Sequence, residues 1–390
     1  MNKIINLKPF KEFLQSEFAG GIILLGCVIV SLIIANSPLG PGLENILDTE
    51  FGFISGAIDL KYSTLTWIND GLMVIFFLLV GLEIKRELVE GELSSPKKAA
   101  MPILAALGGV IVPASIYYFF NQGTETAGGW GIPMATDIAF AIAIITMLGK
   151  RVPLSLKIFL AALAIVDDLM AILVIAVFYT SELHYAYLLY AGLLFVMLIV
   201  FNRMGVKKLY MYIIPGVFIW YFVHHSGIHA TIAGVLVAMT LPTTPDDKES
   251  PLEKLEHMLV KPVNFLIMPI FALANTNIKF QEEMIAGLTT PLGLGIILGL
   301  LVGKPVGIAV ISWIAVKLKI SSLPDKAAWM QIIGVGFLAG IGFTMSIFIS
   351  VLSFTGQTLL LSEAKFSVLV ASILSGVIGA LILTAFAKKK

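Results

Sequence analysis

Five side chains interrupt otherwise apolar stretches of this chain: Thr136, Asp137, Asp167, Asp168 and Lys304. Asp167 and Asp168 sit inside Leu163-Ala-Ile-Val-Asp-Asp-Leu-Met-Ala171. On a helix, neighbours point about 100° apart. The two carboxylates therefore share one broad face but cannot chelate an ion as a tight pair. Other segments must complete any site, and Thr136 and Asp137 offer a hydroxyl and a third carboxylate. Carboxylate, hydroxyl and carbonyl oxygens suit a hard cation. Like-charge repulsion and burial both favour a carboxyl group that keeps its proton. A deprotonated pair attracts a cation; a protonated pair does not. Competition of Na⁺ and H⁺ for one site is enough for exchange, provided the empty charged site does not reorient. Lys304 can pair with one aspartate and offset its charge, or carry a proton itself.

Two other readings of the same residues are weaker. A purely structural ion-pair cluster leaves the expense unexplained, since a charge at the bilayer centre costs at least ~2.5–3.5 kcal/mol and such residues are functional by default. A transferase binding Mg²⁺–diphosphate would want further acids at helical spacing, whereas Leu169-Met-Ala-Ile172 follows the pair.

The elements that must hold these groups are membrane helices. The chain has 390 residues, 58% of them hydrophobic and 13% charged, against roughly 25% charged in soluble domains. A net charge of +1 gives no bulk signal for nucleic acid, and the single cysteine, Cys27, permits no internal disulfide. Twelve apolar runs are long enough to cross about 30 Å of hydrocarbon. They lie near 18–36, 64–84, 99–120, 130–148, 154–179, 185–202, 209–223, 227–241, 259–275, 291–316, 329–352 and 364–386. The first reads as a span rather than a cleaved signal, because Ile33 stands where a small residue would precede a cut. Twelve spans put 22 of the 26 lysines and arginines on the side of the termini and only Lys61, Lys279 and Lys365 opposite. That asymmetry places both termini in the cytoplasm. Lys304 is the remaining base, near the bilayer midplane. The whole chain, 1–390, reads as one integral membrane domain.

Two spans carry breaks. Glycine and proline crowd Gly128 to Asp137 in the fourth, and Gly334, Gly336, Gly340 and Gly342 precede Phe343-Thr344 in the eleventh. Such backbone survives in lipid only where protein or a water-filled cavity satisfies it. The fourth is the middle of spans three to five and the eleventh the middle of spans ten to twelve, so the triplets have opposite topology. Paired interruptions in inverted repeats point to an ion site at their interface. Glycine used only for close helix packing is the plainer reading; it suits either segment alone better than both together. Outside the bundle, Phe51 to Tyr62 is rich in strand formers around Ser55-Gly56. A short β-hairpin there would offer an edge to a second subunit.

Further titratable groups lie towards the ends of spans. His224, His225 and His229 cluster in one segment. His225 and His229 have metal-ligand spacing, but no Glu accompanies them in zinc-protease form. Interfacial histidines are the favoured reading, with His229 a candidate pH-responsive group. Glu83, Arg86, Glu87 and Glu90 recur at helical spacing on one face. Glu256 and His257 belong to the same expected rim, where acids would concentrate cations.

At this point the chain resembles, essentially end to end, the NhaA family of bacterial sodium/proton antiporters. The resemblance is carried by Trp67 to Leu88, Pro133-Met-Ala-Thr-Asp-Ile-Ala-Phe140, Leu156 to Asp168, Gly227-Ile-His-Ala-Thr-Ile-Ala-Gly234, Gly303-Lys-Pro305 and Gly340-Ile-Gly-Phe-Thr-Met-Ser-Ile-Phe348. The family is itself a type example of inverted-repeat transporters. The resemblance implies twelve helices with crossed breaks in spans four and eleven. It implies electrogenic exchange of more than one proton per Na⁺ or Li⁺ across the bacterial inner membrane, activated at alkaline pH, serving sodium and pH homeostasis without a cofactor. It makes Asp168 the principal cation ligand, Asp167 its partner carboxylate paired with Lys304, and Asp137 and Thr136 the residues at the crossing. Glu83, Arg86, Glu87, His229 and Glu256 match positions tied to alkaline activation, with His257 beside them. The hairpin, 51–62, matches a homodimer contact. Departures fall in the pH set: Val260 stands where the best-studied pattern has a histidine, and Glu253 where it has a lysine.

Two other transport classes compete. A passive cation channel would need no Lys304. A sodium-coupled solute symporter would need a roomy organic site, and no aromatic or polar cluster beside the aspartates announces one.

Overall fold

A computed structural model describes residues 8–55, 58–180, 182–243 and 249–387. Lys3, Lys248 and Lys388 to Lys390 of the expected basic side, Gly56 at the expected hairpin turn, and part of the polar loop after Thr243 lie outside the described residues.

The protein is an all-α membrane bundle. Its principal helices are α1 (Lys8–Ala35), α2 (Thr64–Val89), α3 (Pro96–Asn121), α4 (Ala127–Met147, broken), α5 (Leu154–Phe178), α6 (Tyr185–Arg203), α7 (Tyr210–His225), α8 (Ile232–Thr240), α9 (Pro251–Asn275), α10 (Pro291–Lys317), α11 (Trp329–Ala339), α12 (Phe343–Ser353) and α13 (Thr358–Ala385). Among the described residues nine helices are long and apolar enough to cross a membrane, and ten when the bent pair α11 and α12 counts as one span. The runs expected at 209–223 and 227–241 form α7 and α8, of 16 and nine residues. Both are shorter than the roughly 20 residues a span requires.

Helices form here because the hydrocarbon offers no partner for backbone N–H and C=O groups. Their outward faces are apolar instead of polar. On α1, Ile22, Leu25, Ile29 and Ile33 form an exposed stripe at helical spacing, while Leu24, Val28 and Ser31 face inward. α5 is the most enclosed span and α6 the least. α5 packs against α2, α3, α4 and α11, so its aspartates are surrounded by other helices.

Among the described residues three π-helical turns widen the spans: Trp67–Leu72 in α2, Val263–Ile267 in α9 and Gly299–Gly303 in α10. The last two stand just before Pro269 and Pro305. Proline lacks the N–H that the preceding α turn would need and crowds the carbonyl four residues back, which loosens the turn ahead of it.

Both expected breaks are present. In α4 a 3₁₀ stretch, Ala127–Met134, gives way to extended backbone before helix resumes at Ile138–Met147. α11 and α12 are bent by 45° about Gly340 to Gly342. The two breaks meet: Asp137 N donates to Ile341 O at 2.6 Å. A Cβ at Gly342 would displace Ser346 Oγ, 2.1 Å away, and crowd Ala135 O at 3.1 Å, so glycine lets the two breaks pack closely.

The chain between α1 and α2 forms two short antiparallel ladders in one register. β1 (Glu50–Phe51) pairs with β4 (Tyr62–Ser63), and β2 (Ile54–Ser55) with β3 (Ile58–Asp59). The end of α2 nearest these strands is called the hairpin side below, and the end near Val89 the basic side.

Candidate functional site

The site is built where α5 passes the crossing of α4 with α11 and α12. Asp167 and Asp168 leave α5 on adjacent sides and are both buried. Asp167 Oδ2 accepts from Lys304 Nζ, which also donates to the Met134 carbonyl. Lys304 reaches it from the turn where the π-helical part of α10 ends, and is fully buried. Thr136 Oγ lies 2.6 Å from Asp167 Oδ2 and 2.8 Å from Ala339 O, so a single hydroxyl proton faces two acceptors. Lys304 and Asp167 thus form a compensated pair, with the extended strand of α4 closing over it.

Asp137 is held differently. As N-cap of the Ile138–Met147 helix, its Oδ1 accepts from Phe140 N at 3.1 Å. Its Oδ2 accepts from Thr344 N at 3.0 Å and from the Thr344 hydroxyl. One carboxylate therefore serves the N-termini of two half-helices, where backbone donors and helix dipoles favour negative charge.

Asp168 has neither arrangement. Its Oδ1 is buried without a hydrogen-bond partner in the structure, as is Asp167 Oδ1. Asp168 lines a cavity of about 20 Å³ together with Thr136, Asp137, Thr344, Glu83 and Asn264, room for about one water molecule. Asp167 and Lys304 do not line it. The five residues expected at the centre therefore divide into a paired half, Asp167 and Lys304, and a cavity-facing half, Asp168 and Asp137, with Thr136 touching both. Among the described residues no three His, Cys, Asp or Glu side chains converge as a metal site, so a cation here needs neutral oxygens as well.

The cavity extends along α2 from Phe76 to Glu83, towards the basic side. There Arg86 Nε stands 3.0 Å from both carboxylate oxygens of Glu256, and its Nη1 lies 2.9 Å from Glu87 Oε1. Glu87 Oε2 accepts from Glu92 N at 2.9 Å. Four of the six expected pH residues, Glu83, Arg86, Glu87 and Glu256, thus gather on one rim. His257 instead faces Glu249, 3.0 Å away, with its side chain exposed. His229 lies at the hairpin side. Its Nε2 is 3.3 Å from Asp70 Oδ1, its Nδ1 is 2.8 Å from Thr231 Oγ, and its ring meets Phe348 edge-on. His224 Nδ1 is 3.8 Å from Asp70 Oδ2.

Sequence reasoning missed Asp70, Asn264 and the reciprocal amide pair of Asn69 and Asn275. Each is a polar residue in or beside a π-helical turn or at a span end. The signal that was present is a lone carboxamide or carboxylate within an apolar run.

The sequence profile of the family described as "Na+/H+ antiporter 1" matches residues 11–383. The chain is similar to Na(+)/H(+) antiporter NhaA 2 of Flavobacterium johnsoniae, 62% identical over 391 residues that cover 100% of this chain and 96% of that protein. It is similar also to Na(+)/H(+) antiporter NhaA of Caulobacter vibrioides, 49% identical, covering 98% and 92% of the two chains. Na(+)/H(+) antiporter NhaA 1 of Clostridium beijerinckii is 49% identical, covering 98% and 96%.

Proposed function

The chain belongs to the Na+/H+ antiporter 1 family, and from that premise we propose that the two halves of its buried site divide the work of exchange. The protein is a multi-pass bacterial membrane transporter, not an enzyme, and exchanges Na⁺ or Li⁺ for protons. Asp168 is the group for which cation and proton compete. The observation that supports this is the contrast between neighbours: Asp167 is offset by Lys304, whereas Asp168 Oδ1 is buried and unpartnered at the edge of a cavity. An uncompensated buried carboxylate needs a positive partner, and a proton or a sodium ion supplies one equally well. Asp137 and Thr136 add oxygens at the helix crossing. Lys304 holds Asp167 in place and offsets its charge, and Asp168 and Asp137 are the carboxylates left to the cation and the exchanged protons.

Exchange of more than one proton per cation makes transport electrogenic. Activation at alkaline pH is assigned to the Glu83, Arg86, Glu87 and Glu256 rim with His257, and to His229 at the opposite end. The architecture is twelve crossings, counting α7 and α8, with α3 to α5 and α10 to α13 as inverted repeats in a single domain, 1–390. The meeting of the two breaks at Asp137 and Ile341 supports that reading. Both termini lie in the cytoplasm of the inner membrane, as the excess of lysine and arginine on that side indicates. The protein forms a homodimer through residues 51–62, whose Phe53 and Ile54 are exposed.

The decisive experiment is Na⁺-induced proton efflux from proteoliposomes, recorded across pH for wild type and Asp168→Asn. A sodium-dependent signal that rises with pH and vanishes in the variant is expected. Proton silence in wild type, or full activity in Asp168→Asn, sinks the proposal.

A further inference from the structure

Six polar side chains line the cavity beside Asp168, and five of them are carboxylates or hydroxyls: Glu83, Thr136, Asp137, Thr344 and Asp168 itself. The sixth is the carboxamide of Asn264. It is 7% exposed, in a stretch where Val263, Phe265, Leu266, Ile267 and Met268 are all apolar. Its carboxamide shares the cavity wall with Asp168 and Asp137. It stands on the π-helical turn Val263–Ile267 ahead of Pro269, and such turns occur frequently at functional sites. α1 packs closely behind it: a Cβ at Gly20 would lie 3.1 Å from Asn264 Cβ and 3.3 Å from its backbone carbonyl oxygen. A side chain at position 20 would press α1 and this turn apart by a few tenths of an ångström.

A hard cation takes several oxygen ligands. No three acidic or histidine side chains converge here among the described residues, so Asp168 supplies too few by itself. We propose that the side-chain oxygen of Asn264 is a ligand for Na⁺ or Li⁺ at or on the approach to Asp168, and that it binds the metal ion without binding the proton. The inference rests on the antiporter reading and adds a division of labour to it. Asp168 responds to both substrates, because a carboxylate takes either. A carboxamide does not titrate in the working pH range, so Asn264 strengthens one competitor only. It sets how much Na⁺ is needed to displace a proton, leaving the proton affinity of the site alone.

The test uses the full-length protein in proteoliposomes. KM for Na⁺ and for Li⁺ is measured at fixed pH, and the pH profile is measured at saturating Na⁺. Asn264→Ser is expected to raise both KM values by roughly fivefold to tenfold, the scale of one lost oxygen contact, with the pH profile at saturating Na⁺ unchanged. Asn264→Asp keeps the shape and adds a charge. Its KM for Na⁺ should fall at alkaline pH and climb more steeply than wild type as the medium is acidified. Protection of the detergent-solubilised protein from thermal unfolding by Li⁺ gives a readout that needs no transport, and it should weaken in Asn264→Ser. Wild-type KM and wild-type Li⁺ protection in both variants overturn the inference while leaving exchange intact. So does a pH midpoint in Asn264→Ser that moves as far as the affinity. Absence of Na⁺-driven proton movement in wild type removes the antiporter reading and this inference together.

Discussion

At the scale of single residues, adjacent aspartates differ in what they lose on substitution. Asp167 and Lys304 are a buried ion pair. Removing one partner of such a pair leaves an uncompensated charge and costs about 3–5 kcal/mol, whereas removing both is often neutral. Lys304→Ala should therefore lower the thermal unfolding midpoint markedly, and Asp167→Asn combined with Lys304→Met should recover most of the loss. Asp168→Asn breaks no ion pair, so its midpoint should match or exceed that of wild type even though transport is abolished. Thermal unfolding of purified protein in detergent, followed by intrinsic fluorescence, checks all three. An unchanged midpoint in Lys304→Ala would mean that the pair is not compensating. The charged members of this site were legible in the sequence because an ionised group inside an apolar run has no cheap explanation. Asn264 and Asn69 were not, since a neutral amide hardly disturbs the hydropathy of its neighbours. Asp70 lay too near a span end to stand out.

At the scale of elements, the placement of Lys304 depends on backbone proximity. α3 and α10 cross through Gly108 and Gly307, where a Cβ on either would fall 2.2 or 2.1 Å from the carbonyl oxygen of the other. Helices approach this closely only through small residues. Gly307→Ala must push α10 away from α3, and Lys304 lies one turn earlier on the same helix. The expected result is a loss of stability of about 1–3 kcal/mol, read as a lower unfolding midpoint, together with impaired exchange. Gly26→Ala is the control, because a Cβ there meets nothing within 4 Å. Equal behaviour of the two variants would argue against a tight crossing. Breaks in spans four and eleven were readable from glycine and proline density, and the bend at Gly340 to Gly342 falls among the glycines that marked it, whereas in span four that density marked a longer stretch than the break itself. Gly128, Gly129 and Gly131 lie within a 3₁₀ stretch rather than at the break, which falls at Ala135 to Asp137. The π-helical turns were invisible, because proline signals a lost hydrogen bond without saying how the turn before it relaxes.

At the scale of the whole molecule, the hairpin is a separable appendage. Its neck is already closed, as Thr64 N donates to Thr49 O at 3.0 Å. It is tied to the bundle through Trp67, whose Nε1 donates to Phe51 O at 3.1 Å and whose ring stacks on Phe51. Replacing residues 51–62 with a short Gly-Ser linker should yield monomers in cross-linking and native mass spectrometry while keeping Na⁺-driven proton efflux. Dimers that survive the replacement would rule the hairpin out as the contact. The expected strands were found because β-branched and aromatic residues alternate with turn formers in that loop. The span count was harder to read: α7 and α8 are apolar enough but short, and hydropathy alone does not distinguish a full crossing from a partial one.

The size of the cavity beside Asp168 has a further consequence. About 20 Å³ admits one small guest, not an ion surrounded by its hydration shell. With Asp168 as the proposed cation site, sodium would have to leave most of its water behind between Glu83 and Asp168, exchanging water oxygens for protein oxygens. What the site discriminates is then the cost of stripping an ion. Lithium and sodium, each singly charged, can be stripped within the means of a few carboxylate, hydroxyl and amide oxygens. Magnesium gives up its water reluctantly, so at a site of this size it should neither compete with Na⁺ nor drive proton efflux.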